Sequence, residues 1–122
     1  MTDELVEWAS PSHLLPMTTI SNIAVSGLRA AETRFAVRAE NIASANNAGY
    51  TALRAEQFST SVGPVVRVSK SDKTRPQDTR QPDYDLAQEL SDIIAIKNDF
   101  RAAAKLLQTD DQISGSLLDI LV

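Results

Sequence analysis

The sequence predicts a mainly α-helical fold: two long terminal helices packing as an antiparallel, coiled-coil-like pair, with a short irregular or β-hairpin middle region. Three observations predict it. Apolar residues recur with helical period over two long stretches without proline, one toward each end of the chain. Between them lies a stretch with Val, Gly and Pro, which favours extended chain and breaks helices. Aromatics are only 5 % of the residues, so Ala, Leu, Ile and Val carry most of the apolar content and suit close helix-to-helix packing.

The chain has 122 residues, enough for one small domain. Residues 1–17 read as an irregular arm, broken by Pro11 and Pro16 and given some apolar character by Trp8, Leu14 and Leu15. Residues 18–50 hold the first axial helix and its terminating turn. Thr19 or Ser21 is placed to cap its start. Ala24, Leu28, Ala31, Phe35, Ile42 and Ala45 follow spacings of 4, 3, 4, 7 and 3, a heptad seam with Arg38 in its one gap. Ile23, Ala30 and Val37 form a second row beside it. Gly27 is costly inside a helix and marks a close backbone approach. The run from Asn46 to Tyr50 stops the helix, because Asn and Gly tolerate the left-handed conformation found at helix ends.

Residues 51–82 form the middle region. Val62, Val65, Val66 and Val68 favour a strand, with Gly63-Pro64 breaking the run. A short hairpin or one extended strand near Pro64 to Val68 fits this pattern. From Ser69 to Pro82 the chain is polar and charged and reads as a mobile linker.

Residues 83–122 hold the second axial helix. Asp83 or Asp85 serves as its cap, and Glu89 adds to an acidic first turn. One seam comprises Leu86, Leu90, Ile93, Phe100, Ala104, Leu107, Leu118 and Leu121, interrupted at Lys97, Asp111 and Ser114. A second, offset seam comprises Leu106, Ile113, Leu117 and Ile120. Two adjacent seams make an apolar face too wide for one antiparallel partner, which implies several neighbours. A self-contained hairpin with a broad face is the plainer alternative.

Composition narrows the function. A net charge of −4 argues against a nucleic-acid binder. The basic cluster Arg67, Lys70, Lys73, Arg75 and Arg80 is interleaved with Asp72 and Asp78 and lacks aromatics, so it reads as a solvated loop. The chain has no cysteine, which excludes disulfides, thiolate metal sites and cysteine catalysis. No segment has the ~20 apolar residues of a membrane span. The start of the chain lacks the charged-then-apolar layout of a cleaved signal. The sole histidine, His13, sits in the arm, so no Ser/His/Asp triad can be assembled without it. The pair Asp83/Asp85 reads as a cap and the pair Asp110/Asp111 as a solvent-facing stripe. An enzyme, a cofactor, a metal and a small-molecule substrate are all unexpected. What remains is interaction through helices.

The segment from Ala39 to Tyr50 (A-E-N-I-A-S-A-N-N-A-G-Y) resembles the A-S-N-I-A-N-A-N-T-P-G-Y signature of bacterial flagellar rod and hook proteins. The segment Asp85 to Leu90 is similar to that family's V-D-L-A-E-E-M, and Lys105–Ile113 with Leu117–Ile120 resembles its C-terminal pattern. Asn47-Ala48 replaces the family's Thr-Pro, Lys97 stands where a Gln is common, and Ala103 where an Asn is. The short middle region makes the chain most like the small proximal-rod members.

The resemblance implies a structural subunit of the flagellar basal-body rod, exported through the type III apparatus without a cleaved signal. Such subunits self-assemble in the periplasm into the axial drive shaft for motility. Its partners would be other rod subunits and itself, with no nucleic acid and no membrane insertion. The residues expected at subunit interfaces are Leu28, Phe35, Ile42, Leu90, Ile93, Phe100, Leu107, Leu118 and Leu121. Asn41, Gly49 and Tyr50 are expected to set the turn out of the first helix. The alternative is a helical-hairpin adaptor, or an export-associated regulator that binds rod components without joining the rod.

Overall fold

A computed structural model describes residues 15–71 and 85–122, with side chains from Thr19 onward. The residue 1–14 part of the arm, with Trp8 and His13, lies outside the described residues. So do the linker from residue 72, its basic residues Lys73, Arg75 and Arg80, and Asp83 as a cap. The element order is α1 (Leu15–Ala43), β1 (Leu53–Thr60), β2 (Gly63–Lys70) and α2 (Leu86–Leu121). Two long helices flank a small antiparallel hairpin and pack against each other, as the fold class predicts.

Helix α1 begins earlier than the sequence reading places it. Pro16 lies in its first turn, where a missing N–H costs nothing. Thr19 and Ser21 are therefore inside the helix and do not cap it. Ser21 instead donates its hydroxyl hydrogen bond to Asp110 on α2. The helix ends at Ala43, and tight backbone turns carry the chain from Ser44 to Tyr50. Ala45 thus lies beyond the seam it was assigned to. Gly49 takes a positive φ of 92°, whereas no asparagine does.

The two apolar rows of α1 face different neighbours. Ala24 and Ala31 of the first row are buried, and Arg38 in its gap bonds to α2. In the second row, Ala30 and Val37 are buried, and Ala30 borders a hollow shared with Pro64, Val65 and Val66 of the hairpin. Gly27 sits where α1 closely approaches Ala103 on the other long helix: a Cβ there would lie 3.3 Å from Ala103 Cβ. Gly27→Ala is expected to be near neutral, since a helix-propensity gain of about 1 kcal/mol opposes that crowding. Gly27→Leu should lose about 1–3 kcal/mol by pushing the helices apart, read from the urea midpoint.

The middle region is a two-stranded hairpin with Leu53 paired to Lys70 and Thr60 to Gly63. β2 runs on through Ser69 and Lys70, so these two residues belong to a strand and not to the linker, and Arg67 is a strand residue and not part of a solvated loop. Arg67 stacks on Phe58 across the pair, 5.3 Å from the ring centre. Gly63-Pro64 opens β2 and does not break a strand, while Val62 sits in the turn. The reason is turn chemistry. Ser61 and Val62 keep negative φ, and Gly63 at φ 119° absorbs the twist that closes the hairpin.

Pro64 tolerates its place because every strand of a two-stranded sheet is an edge. Gly63 is also pressed against α1: a Cβ would fall 2.8 Å from Ser26 Cβ and 3.3 Å from Ile23 Cα. Ser26 Oγ donates to the Pro64 carbonyl at 2.6 Å, pinning the hairpin tip to the helix. Gly63→Ala is therefore expected to cost more than 2 kcal/mol, from strain and overlap together. A urea midpoint equal to that of the unsubstituted chain would contradict this placement.

Asp85 caps α2: its Oδ1 accepts from Ala87 N at 2.9 Å, and its carbonyl accepts the first helical bond from Glu89 N at 2.9 Å. The face of α2 turned to α1 is not the seam read from the sequence. It is the row Glu89, Ile96, Ala103 and Asp110, in which Glu89, Ile96 and Asp110 are buried. Asp110 is thus no part of a solvent-facing stripe, although Asp111 is exposed. The buried apolar residues are Ala24, Ala30, Ala31, Val37, Ala52 and Ile96, so the described core is thin and mostly alanine.

Candidate functional site

Two features stand out: a buried polar joint where α1, β1 and α2 meet, and an apolar face left uncovered along α2. The joint is built on Asn41, in the last turn of α1 and fully buried at 0 % exposure. Its Oδ1 accepts from Leu53 N at 2.8 Å and from the Tyr50 hydroxyl at 3.0 Å. Its Nδ2 donates to Leu53 O at 2.9 Å and to Glu89 Oε1 at 3.4 Å. All four hydrogen-bonding positions of the carboxamide are used. Toward Leu53 it acts as a strand partner would, satisfying both backbone groups of the first residue of β1.

Arg38 lies one turn earlier on α1 and ties in two carboxylates of α2. Its Nη1 donates to Glu89 Oε1 and its Nη2 to Asp92 Oδ2, each at 3.0 Å. Glu89 is 5 % exposed, a buried carboxylate and not merely an acidic first-turn residue. Among the described residues, Arg38 Nε and Glu89 Oε2 are buried without a hydrogen-bond partner. Such a pair adds little net stability over well-packed apolar groups, although removing one partner alone is costly. The exposed Arg34–Asp99 pair at 2.7 Å adds at most about 1 kcal/mol.

Tyr50 closes the joint. Burial, then the negative fields of Glu40 and Glu89, raise its phenol above the ordinary 10.0. The folded state therefore holds this proton more tightly than the unfolded chain does. Its stabilising effect is complete below pH ~10 and is lost as pH rises through the folded value. The melting temperature should fall more steeply above that pH in the unsubstituted chain than in Tyr50→Phe.

The expected interface residues are distributed as follows. Leu28, Ile42, Ile93 and Leu107 are half-buried, whereas Phe35, Leu90, Phe100, Leu118 and Leu121 are exposed. Phe35, Ile93 and Phe100 come together, with Ala31, Ile96, Glu32 and Lys97, around an apolar groove of about 470 Å³. Leu118 and Leu121 lie far from it, at 65 % and 83 % exposure near the end of α2. The offset seam, Leu106, Ile113, Leu117 and Ile120, is exposed as well.

Sequence reasoning missed Arg38, Glu89, Asp92 and Asp110 as contact residues. The available signal was the strict seven-residue row Glu89–Ile96–Ala103–Asp110, with a carboxylate at either end. No helix among the described residues is long and apolar enough to cross a membrane. The chain matches no protein-family model and no curated protein sequence.

Proposed function

We propose that the chain is a structural subunit of the bacterial flagellar basal-body rod, joining the axial drive shaft through its terminal helices. On this reading its partners are other rod subunits and further copies of itself. The type III export apparatus delivers it to the periplasmic rod, and it carries out no catalysis. One observation carries the reading: the interior is filled mainly by alanine, while Phe35, Leu90, Phe100, Leu118 and Leu121 stay outside. A helix pair whose described residues leave these large apolar side chains exposed is built to be covered by neighbours. Each such residue buried on assembly contributes about 1.5–3 kcal/mol, which offsets the ordering cost of long helices.

The signature-like segment adds support. Residues 39–50 end α1 and turn the chain, and within them Asn41 and Tyr50 are bonded to each other. Phe100→Asp and Leu118→Asp are each expected to abolish rod assembly and motility while leaving export largely intact. Intact rods and normal swimming in both variants would contradict the reading.

The buried joint favours a second reading, a preformed hairpin adaptor or export-associated regulator that binds rod components. Full helicity and a sharp melt of the purified chain would favour it, and partial helicity would favour the rod subunit.

A further inference from the structure

We infer that α2 pairs antiparallel with α2 of a second copy of this chain, along the flank that runs from Leu86 to Leu121. This flank is a heptad seam beside the α1 contact. Leu86, Leu90, Phe100, Leu118 and Leu121 on it are all exposed. At its middle, Phe35 of α1 adds to the apolar surface around the groove that Phe100 and Lys97 also line.

The charges on the seam choose the partner and the direction. Lys97 and Asp111 are the charged residues that interrupt it, each seven positions from Ala104. Both are exposed, and neither forms an ion pair among the described residues. A charge in an apolar seam sets register and orientation, because it must find its opposite. In a parallel pair Lys97 meets Lys97 and Asp111 meets Asp111. In an antiparallel pair centred on Ala104, Lys97 of one copy meets Asp111 of the other, twice by symmetry. The same register sets Leu90 against Leu118, and brings Leu86 within one residue of the level of Leu121 and Phe100 within one residue of the level of Leu107. The small side chain of Ala104 lets the two helices approach at the centre.

The pair stands on this flank alone and does not require membership of a rod. It also has a consequence for assembly. A two-fold pair closes on itself, so a copy that enters a polar rod must first leave the pair. The dimer then stores the chain with this face covered.

Analytical ultracentrifugation of the full chain tests the pairing. The unsubstituted chain is expected to dimerise reversibly. Lys97→Asp and Asp111→Lys each create two like-charge contacts and should weaken the dimer about tenfold. An equimolar mixture of the two, and the double variant, should regain the original affinity. Both positions are exposed, so the variants are expected to keep the fold, which circular dichroism checks.

The absence of cysteine from the sequence allows a direct test of direction. Leu90→Cys and Leu118→Cys chains should cross-link with each other when mixed and not with themselves. In the antiparallel pair, identical positions stand ~40 Å apart, far beyond disulfide reach. A chain that stays monomeric at every attainable concentration overturns the inference. So does self-cross-linking of either cysteine variant, or dimerisation indifferent to the charge reversals. Rod membership is judged separately, by basal-body content, so either proposal can fail while the other stands.

Discussion

Arg38→Ala is expected to lower folding stability by about 3–5 kcal/mol. The loss does not measure what the ion pair contributes. It arises because Glu89 stays behind at 5 % exposure, with Arg38 no longer donating to its Oε1. Asp92 loses the same cation. For a domain at the low end of the usual range of about 5–15 kcal/mol, such a change would leave a large share of the chains unfolded. The cause is separable from simple loss of packing. Arg38→Met combined with Glu89→Leu removes the half-buried cation and the buried carboxylate together at similar volume and should return most of the stability. Urea denaturation followed by helicity reads both variants. A double variant as unstable as Arg38→Ala would show that the charge was not the cause.

Asn41→Ala is expected to cost about 2–4 kcal/mol. It strands the N–H and C=O of Leu53, the Tyr50 hydroxyl and one bond to Glu89. Asn41→Asp tests whether donors or volume matter. The carboxylate keeps the shape and can still accept from Leu53 N–H and from Tyr50. It cannot donate to Leu53 O, and it adds a negative charge beside Glu89. At neutral pH Asn41→Asp should therefore be at least as damaging as Asn41→Ala. If Asn41→Asp matches the unsubstituted chain in urea midpoint, the joint does not depend on the amide donors.

Much of the architecture was legible because it rests on period. Ala24, Ala31, Ala30 and Val37 of the α1 rows and the Asp85 cap are local signals with a direct structural counterpart. The two rows of α1 proved to serve two neighbours, with Ala31 toward α2 and Ala30 toward the hairpin.

What the sequence hid was polar. The α2 face that meets α1 begins and ends on carboxylates, Glu89 and Asp110, and a search for apolar seams passes over such a row. Arg38 appeared as a gap in a seam, yet the gap is where the helices are joined. The strand read near Pro64 to Val68 lies within β2, and Val62 alone falls outside it, in the turn, for a different reason. Strand propensity there was weaker than the backbone requirement met by Gly63. Asn41, expected to set a turn, does more than that: it is the first pairing partner of β1.

The most direct test of the central claim is whether this chain is present in purified flagellar basal bodies. Basal bodies would be isolated, stripped of loosely bound protein and probed for the chain by quantitative mass spectrometry. A rod subunit should remain at a fixed number of copies per basal body and should be lost together with the rod. Absence from stripped basal bodies that retain intact rods would contradict the account.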